Sequence, residues 1–139
     1  MELELRDLLL CEFSKDGDGP HFYNCWNLSR EVFRRAGRYL PLYSKWIQSI
    51  SARDLLIRKL KNSDEFIPLN KPEFLAILAL RLYPRHPDCI THMGVVINKH
   101  RFIQVRKNPV GVSMERLDNP IWIKRTEGFY RYVGNNKTQ

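Results

Sequence analysis

The sequence predicts an α+β fold in which N-terminal helices pack on one face of a mostly antiparallel β-sheet. Two observations indicate this. Across residues 24–36 the apolar side chains recur at helical spacing. Later in the chain, residues 93–97 and 102–106 are β-branched and aromatic runs on either side of a short polar turn. Helices followed by strands favour one helix layer packed on one sheet.

The helix over residues 24–36 is the best-marked element. Asn24 is a residue type that favours the N-cap, and Gly37 lies where a helix end commonly needs a left-handed residue. Residues 14–21, just before this helix, are dense in turn formers and predict a loop. A second helix is predicted over residues 51–61, opened by Ser51.

The rest of the chain predicts strands. Residues 73–82 form a nearly continuous apolar run that helix propensity also favours, but its proline-bounded ends indicate a buried strand. Residues 98–100 are the expected turn of a hairpin between the runs at 93–97 and 102–106. Two shorter strands are expected further on, with an irregular stretch around Pro120 between them; they cover residues 111–116 and 129–133.

Length and charge narrow the class of protein. The 139 residues fit one domain spanning 1–139, with residues 134–139 as a flexible tail. Lys and Arg number 23 against 15 Asp and Glu, and the net charge of +8 favours a polyanionic neighbour such as an anionic wall polymer. The basic residues are spread along the chain, so nucleic acid is not the expected partner.

The cysteines and the N-terminus indicate where the chain is made. Cys11, Cys25 and Cys89 are an odd set without a CxxC pair, so neither a disulfide framework nor a four-cysteine zinc site is expected. The start, Met-Glu-Leu-Glu, lacks the basic residues of a signal peptide. No stretch approaches the roughly 20 apolar residues of a membrane span. We expect a cytoplasmic product without a cofactor; the sequence indicates no oligomeric state.

Cys25 lies at the first turn of the best-marked helix, directly after the predicted loop. Unpaired backbone amides and the helix dipole favour an anion there, so we expect a stabilised thiolate at Cys25. The same amides are suited to a developing oxyanion. The alternative is that Cys25 is a small apolar residue packed under the helix.

His92 and Gln104 form a second candidate pair. In a hairpin centred near Asn98 they face each other on one side of the sheet, where Gln104 can hold one imidazole nitrogen and leave the other free to take a proton. Gly94 is then expected to leave room for the helix that carries Cys25. The alternative is an ordinary strand terminus at His92 and a solvent-facing Gln104.

Together these segments resemble a known family. Residues 22–28, Phe-Tyr-Asn-Cys-Trp-Asn-Leu, with Gly37 and then Leu-Pro, are similar to the nucleophile helix of NlpC-type papain-like cell-wall peptidases. The runs His-Met-Gly-Val-Val-Ile from His92 and Arg-Phe-Ile-Gln at 101–104 resemble that family's two central strands. Residues 111–122 are similar to phage tail and prophage members.

The resemblance implies a papain-like hydrolase that cleaves an amide bond in peptidoglycan stem peptides, commonly between D-glutamate and the diamino acid. Cys25 would be the nucleophile, His92 the general base and Gln104 the residue that orients His92. The family more often has histidine at the third position. Release by a phage or by host lysis would bring the chain to the wall.

The resemblance also marks a substrate side. Phe13 stands about where the family has a tyrosine, Asn24 replaces an aspartate before the cysteine, and Asn27 replaces a glycine. We expect Phe13, Asn24 and Trp26 to contact substrate.

Other interpretations remain open. His86, Asp88, Cys89 and His92 are spaced closely enough for a zinc loop, although a second ligand pair is missing. Trp26, Trp46 and Trp122 form either an aromatic platform for a ligand or part of the core. The function alternatives are a catalytically silent wall-binding or phage tail component with the same fold, and another Cys/His acyl-transfer enzyme, a deamidase or thioesterase.

Overall fold

The computed structural model describes residues 3–42 and 49–134. Its helices are α1 (Cys25–Arg35), α2 (Ile50–Lys61) and α3 (Pro120–Arg125). The strands are β1 (Glu12–Phe13), β2 (Phe22–Tyr23), β3 (Phe66–Leu69), β4 (Ile77–Leu80), β5 (His92–Val96), β6 (Arg101–Lys107), β7 (Val110–Arg116) and β8 (Thr126–Tyr132). Trp46 and residues 135–139, most of the predicted tail, lie outside the described part.

The main sheet has six strands in the order β3-β8-β4-β5-β6-β7, and every neighbouring pair is antiparallel. β1 and β2 form a separate parallel pair beside the start of α1. The predicted α+β class and the antiparallel sheet are therefore confirmed. The hairpin is also found, and its turn is closed by the Ile97 N–H donating to Arg101 O at 3.0 Å and by the His100 N–H donating to Asn98 Oδ1 at 2.8 Å.

Helix α1 packs through one apolar stripe. Leu28, Val32 and Phe33 are buried and face the sheet at β5 and β6, as the helical spacing of these residues requires. The helix ends at Arg35, and Gly37 takes a φ of +75°, the left-handed conformation expected after a helix. This packing fixes the N-terminus of α1, where Cys25 lies, beside the centre of the sheet.

Both faces of the sheet are covered. Ile77, Ala79 and Val95 pack in the core cluster that also contains the α1 residues. On the opposite face, Leu78 and Leu80 belong to a second cluster with Phe102 and Trp122. The N-terminal helices pack on one face as predicted, and α3 adds a layer on the other, which explains why all four residues of β4 are buried.

Several predicted boundaries are wrong, including those of the last strand, which was expected over residues 129–133 and spans Thr126–Tyr132. α2 begins one residue before the predicted Ser51 because the Ser49 hydroxyl caps it, accepting the Ala52 N–H at 3.3 Å. The strand predicted over residues 73–82 is limited to β4. Its first residues form a turn, closed by the Ala76 N–H donating to Glu73 O at 3.0 Å, with Leu75 at a φ of +66°. Apolar composition marks burial there, not extended backbone.

Four of these elements were not predicted: β1, β2, β3 and α3. The stretch around Pro120, expected to be irregular, forms α3, because the Asn119 side chain accepts the Ile121 N–H and Pro120 occupies the first turn, where its missing N–H costs nothing. β3 contains Pro68, which argues against a central strand. It is at the edge of the sheet, where proline is tolerated.

No helix in the described ranges combines the length and the apolar character needed to cross a bilayer.

Candidate active site

Polar side chains fix the start of α1, where Cys25 is the first helical residue. Asn24 Oδ1 accepts the Asn27 N–H at 2.8 Å and so caps the helix, while Asn24 Nδ2 donates to Lys15 O at 3.1 Å. Asn27 Nδ2 donates to Gly17 O at 2.9 Å. Asn24 and Asn27 therefore tie the preceding loop to the helix that carries Cys25.

The Cys25 thiol is buried, and the groups around it shift its pKa in opposite directions. Burial is the largest influence and raises the pKa of the thiol; the backbone N–H of Met93, the charge of Arg53 and the N–H groups of Trp26 and Cys25 lower it. The net pKa is raised. The expected thiolate at a helix N-terminus is thus not the resting state, because desolvation outweighs the amides.

His92 and Gln104 are in contact, as predicted. His92 Nε2 lies 2.9 Å from Gln104 Oε1, and both side chains are buried. A carbonyl oxygen only accepts, so this contact places the proton on Nε2 and leaves Nδ1 as a proton acceptor. Among the residues that the structure describes, the buried Gln104 Nε2 has no hydrogen-bond partner, so the amide contacts the imidazole through its oxygen.

Burial also lowers the pKa of His92 to about 4. The hydrogen bond to Gln104 acts in the opposite direction, and the charges of Arg106 and Arg53 add to the lowering. His92 is therefore neutral near neutral pH, with one ring nitrogen unprotonated. Cys25 and His92 rest as a neutral thiol and a neutral imidazole, not as an ion pair.

The two strands of the hairpin separate beside His92. β5 and β6 pair only at Val95 with Ile103 and at Val96 with Phe102. Because Met93 lies beyond these pairs, its N–H acts on the Cys25 sulfur instead of a β6 carbonyl. The Cys25 thiol therefore lies beside Met93, the residue that follows His92, at the N-terminal end of β5, where β5 and β6 have separated.

The register corrects two details of the hairpin expectation. Continued toward His92, it puts Gln104 across from Gly94, so the contact between His92 and Gln104 is diagonal and depends on long side chains. A Cβ on Gly94 would lie 2.8 Å from Ile103 O and 2.9 Å from Phe102 Cδ2. Gly94 therefore makes room for β6, not for the helix that carries Cys25.

The three predicted substrate residues have different surroundings. Phe13 lines an open cleft that also contains Lys15 and Arg53. Both polar groups of the Asn24 side chain form hydrogen bonds within the protein. Trp26 Nε1 donates to Pro41 O at 2.8 Å, which fixes its ring against the segment after α1.

The sequence also allowed two other ligand sites, an aromatic platform and a zinc loop. Trp122 is buried on the α3 face, with its ring edge-on to Phe102, so it belongs to the core there. Within residues 3–42 and 49–134, no three His, Cys, Asp or Glu side chains are grouped to hold a metal ion, and this includes the histidines and cysteine of the zinc alternative.

Arg53 is a site residue that the sequence patterns did not indicate. Its Nη1 donates to Thr91 O at 3.2 Å, and its charge acts on both Cys25 and His92. The contact joins α2 to a residue 38 positions away in the chain, and no local motif marks it.

No protein-family model matches the sequence, and no curated protein does either. Solved structures do match. A lipoprotein-like NLP/P60 family protein from Staphylococcus aureus subsp. aureus Mu50 is 19% identical with a TM-score of 0.58, covering 94% of this chain and 39% of that one. NlpC2 from Trichomonas vaginalis is 17% identical, with a TM-score of 0.62 and coverage of 92% and 44%.

NlpC1 from the same organism is 18% identical, with a TM-score of 0.62 and coverage of 92% and 41%. The chain thus spans about two fifths of the length of these structures. The likeness extends over nearly the whole described chain, with the helices and the antiparallel sheet in common. The chain therefore has the NlpC/P60 fold.

Proposed function

We propose that this chain is a cysteine hydrolase that cleaves an amide bond in peptidoglycan stem peptides, with residues 1–139 as its catalytic domain. The observation that carries the proposal is the contact between His92 Nε2 and Gln104 Oε1, which leaves Nδ1 able to accept a proton. The Cys25 thiol beside Met93, the next residue, supplies the nucleophile. The peptide substrate comes from the resemblance to NlpC-type peptidases, and the NlpC/P60 fold supports it.

The reaction begins from neutral groups. As the Cys25 sulfur attacks the scissile carbonyl carbon, its proton passes to His92 Nδ1, which is unprotonated near neutral pH because burial lowers the pKa of His92. The carbonyl oxygen becomes the oxyanion, which backbone N–H groups at the start of α1 stabilise. His92 then gives the proton to the departing amine, and the C–N bond breaks to leave an acyl-Cys25 thioester.

Water completes the cycle. His92 takes a proton from a water molecule whose oxygen attacks the thioester carbon, and the C–S bond breaks. The proton returns to the Cys25 sulfur, and the free carboxylic acid leaves. Gln104 contacts neither reactant. It holds His92 in one tautomer throughout, so it is a positioning residue.

The test is hydrolysis of a defined stem tetrapeptide, followed by mass spectrometry of the two products. We expect cleavage by the unaltered chain and none above background by Cys25→Ala. His92→Ala should lose about 10²- to 10⁴-fold in rate, because general-base catalysis contributes about that much. Cys89→Ser is the matched control, since Cys89 is a free cysteine in a different segment. Cleavage that survives Cys25→Ala would contradict the proposal.

A second candidate is a catalytically silent component of a wall or phage tail that keeps the fold and binds wall polymer. The observation that favours it is the raised pKa of the buried Cys25 thiol, which leaves little thiolate in the free protein. This candidate predicts binding to purified cell wall that Cys25→Ala and His92→Ala leave unchanged, and no release of peptide by any variant.

A further inference from the structure

Helix α3 presents apolar and cationic side chains together at the protein surface. Trp122 is buried against the sheet, whereas its neighbours Ile121 and Ile123 are 56% and 58% exposed. Lys124 is also exposed, and the helix contains no carboxylate. Large apolar side chains that are this exposed and this close together are typical of contact surfaces.

Two arginines from different elements converge on the ring of Trp122. The guanidinium carbon of Arg106, in β6, lies 5.0 Å from the ring centre, and that of Arg125, at the end of α3, lies 5.3 Å from it. Both arginines are half-buried, and within residues 3–42 and 49–134 neither forms an ion pair. Because the two like charges repel each other, an anion bound beside them would stabilise the arrangement.

The carboxylates nearest to α3 in the chain are engaged by other groups. They are Glu115, which accepts the Trp122 Nε1–H at 3.2 Å, Asp118, paired with Arg116 at 2.9 Å, and Glu127, paired with Lys61 at 3.3 Å. None of these carboxylates is paired with Arg106, Lys124 or Arg125, so the charge at α3 is positive.

We propose that the α3 surface, formed by Ile121, Ile123, Lys124, Arg106 and Arg125, docks on an anionic phospholipid bilayer. The cationic side chains contact lipid phosphates, which match a guanidinium with two parallel hydrogen bonds. The isoleucines enter the boundary between headgroups and acyl chains, where an amphipathic element gains from burying apolar area and from attraction to anionic lipid. A hydrophilic polyanion matches the charge but leaves the isoleucines in water.

Docking through α3 also sets the orientation of the chain on the bilayer. The cluster that contains the α1 residues and the cluster that contains Trp122 lie on opposite faces of the sheet. A chain docked through α3 therefore keeps the α1 face, with Cys25, on the side that faces away from the lipid. The inference does not depend on the proposed hydrolysis.

The test is partition of the unaltered chain onto lipid vesicles, measured by cosedimentation as the lipid concentration is raised. One vesicle contains phosphatidylcholine and phosphatidylglycerol in equal parts, and the other contains phosphatidylcholine alone. We expect binding to the anionic vesicle that weakens as salt is added. Binding to the neutral vesicle should be at least about 10-fold weaker, because the basic side chains gain nothing from it.

Two double variants separate the apolar contribution from the charged one. Ile121→Ser with Ile123→Ser should lower the partition coefficient by about 10-fold or more, since the exposed isoleucine surface is no longer buried in lipid. Arg106→Gln with Arg125→Gln should lower it by about 5-fold for each charge removed. If the arginine variant does not fold, Lys124→Gln, at an exposed position, carries the same expectation for one charge.

Helix α2 provides matched controls of the same chemistry. Leu55 is 71% exposed, and Lys59 is exposed one turn later. α2 contributes Ile57 to the core cluster on the α1 face, so its outer side faces away from α3. We expect Leu55→Ser and Lys59→Gln to leave the partition coefficient within about 2-fold of that of the unaltered chain, because screening isolates a charge this far from the bilayer.

Three outcomes with vesicles would overturn the inference. They are no binding to the anionic vesicle, equal binding by the isoleucine variant, and an equal loss in Leu55→Ser. Poly-L-glutamate that binds as tightly as the vesicle, with the isoleucine variant unaffected toward both, would assign the surface to a soluble polyanion instead.

Inorganic phosphate that shifts the Trp122 indole resonance while vesicles stay unbound would assign the two arginines to free phosphate and also overturn the inference. None of these measurements involves turnover. Failure of the chain to hydrolyse a stem peptide would therefore contradict only the proposed function.

Discussion

His92 and Gln104 are joined by a hydrogen bond of 2.9 Å inside a part of the protein that excludes water. The partner of the imidazole is a neutral amide, not a carboxylate. A neutral acceptor fixes the tautomer but gives little electrostatic support to a protonated ring, so burial dominates and the pKa of His92 falls to about 4. The imidazole is therefore uncharged near neutral pH.

The proposed mechanism predicts that replacing Gln104 impairs hydrolysis while Cys25 and His92 remain in place. In Gln104→Leu the imidazole loses its acceptor, and both tautomers become populated. We expect kcat to fall by about 10²-fold, less than the roughly 10⁴-fold loss seen when a triad carboxylate is replaced, with KM little changed.

A purely structural role would not alter the state of the imidazole, so the ¹⁵N chemical shifts of His92 should be measured in the same variant. Gln104→His, which restores a ring nitrogen as acceptor and matches the residue more common in NlpC-type peptidases, should recover part of the lost kcat. If Gln104→Leu keeps a single His92 tautomer and full kcat, Gln104 does not position His92.

Stability should fall as the solution becomes acidic because of His92. Its folded pKa of about 4 lies below its ordinary value of 6.5, so the unfolded chain binds this proton more readily. The contribution of neutral His92 is fully present above about pH 6.5 and is lost as the pH falls toward about 4, a loss of roughly 3 kcal/mol in the free energy of unfolding.

Urea unfolding over this pH range measures the effect. In His92→Gln, which keeps a neutral side chain, the decline between about pH 6.5 and about pH 4.5 should largely disappear. The carboxyl groups with lowered pKa values, which are those of Asp7, Glu31, Glu73 and Asp118, act below that interval. An equal decline in both chains would show that His92 is not the group that titrates.

The cap of α1 should matter more than the cap of α2. Asn24 is buried and makes two hydrogen bonds, to Asn27 N and to Lys15 O. Asn24→Ala loses both and should cost about 2 kcal/mol of unfolding free energy. Ser49→Ala, which removes one cap bond at an exposed site, should cost about 1 kcal/mol or less. Equal losses in thermal or urea unfolding would contradict the structural role assigned to Asn24.

A methyl group at Gly94 should push β6 away from β5. Because the added Cβ would lie 2.8 Å from the backbone oxygen of Ile103, the strand itself must shift, and we expect Gly94→Ala to cost about 1 to 3 kcal/mol and to lower activity. Gly37→Ala is the control. In the described part of the chain, no atom lies within 4 Å of a Cβ added at Gly37. The cost, about 1 kcal/mol, comes from the φ of +75°, and activity should be unchanged.

The features that the sequence predicted are those set by local patterns. The stripe of Leu28, Val32 and Phe33 indicates α1, and the apolar runs around Asn98 indicate the hairpin, so the approach of His92 to Gln104 follows from strand alternation. The α3 helix was missed because Pro120 reads as a breaker unless its place in the first turn is known.

The parts that the sequence did not predict depend on tertiary packing. Arg53 reaches the site through a contact with Thr91 that joins distant parts of the chain. The pKa of Cys25 is set by a competition between burial and backbone amides, and only the helix contribution was visible from sequence position. The neutral states of Cys25 and His92 follow from the burial of both side chains, which the sequence alone does not reveal.

A covalent acyl intermediate on Cys25 would distinguish the proposed hydrolase from a protein that only binds the wall. The chain with Cys11→Ser and Cys89→Ser keeps Cys25 as its single thiol. It would be mixed with a stem-peptide thioester, whose good leaving group speeds acylation, then quenched in acid and analysed by intact and peptide mass spectrometry. The proposed mechanism predicts an added acyl mass on the peptide that contains Cys25, formed at least about 10²-fold more slowly in His92→Ala. An unmodified Cys25, or an equal rate in His92→Ala, would contradict it.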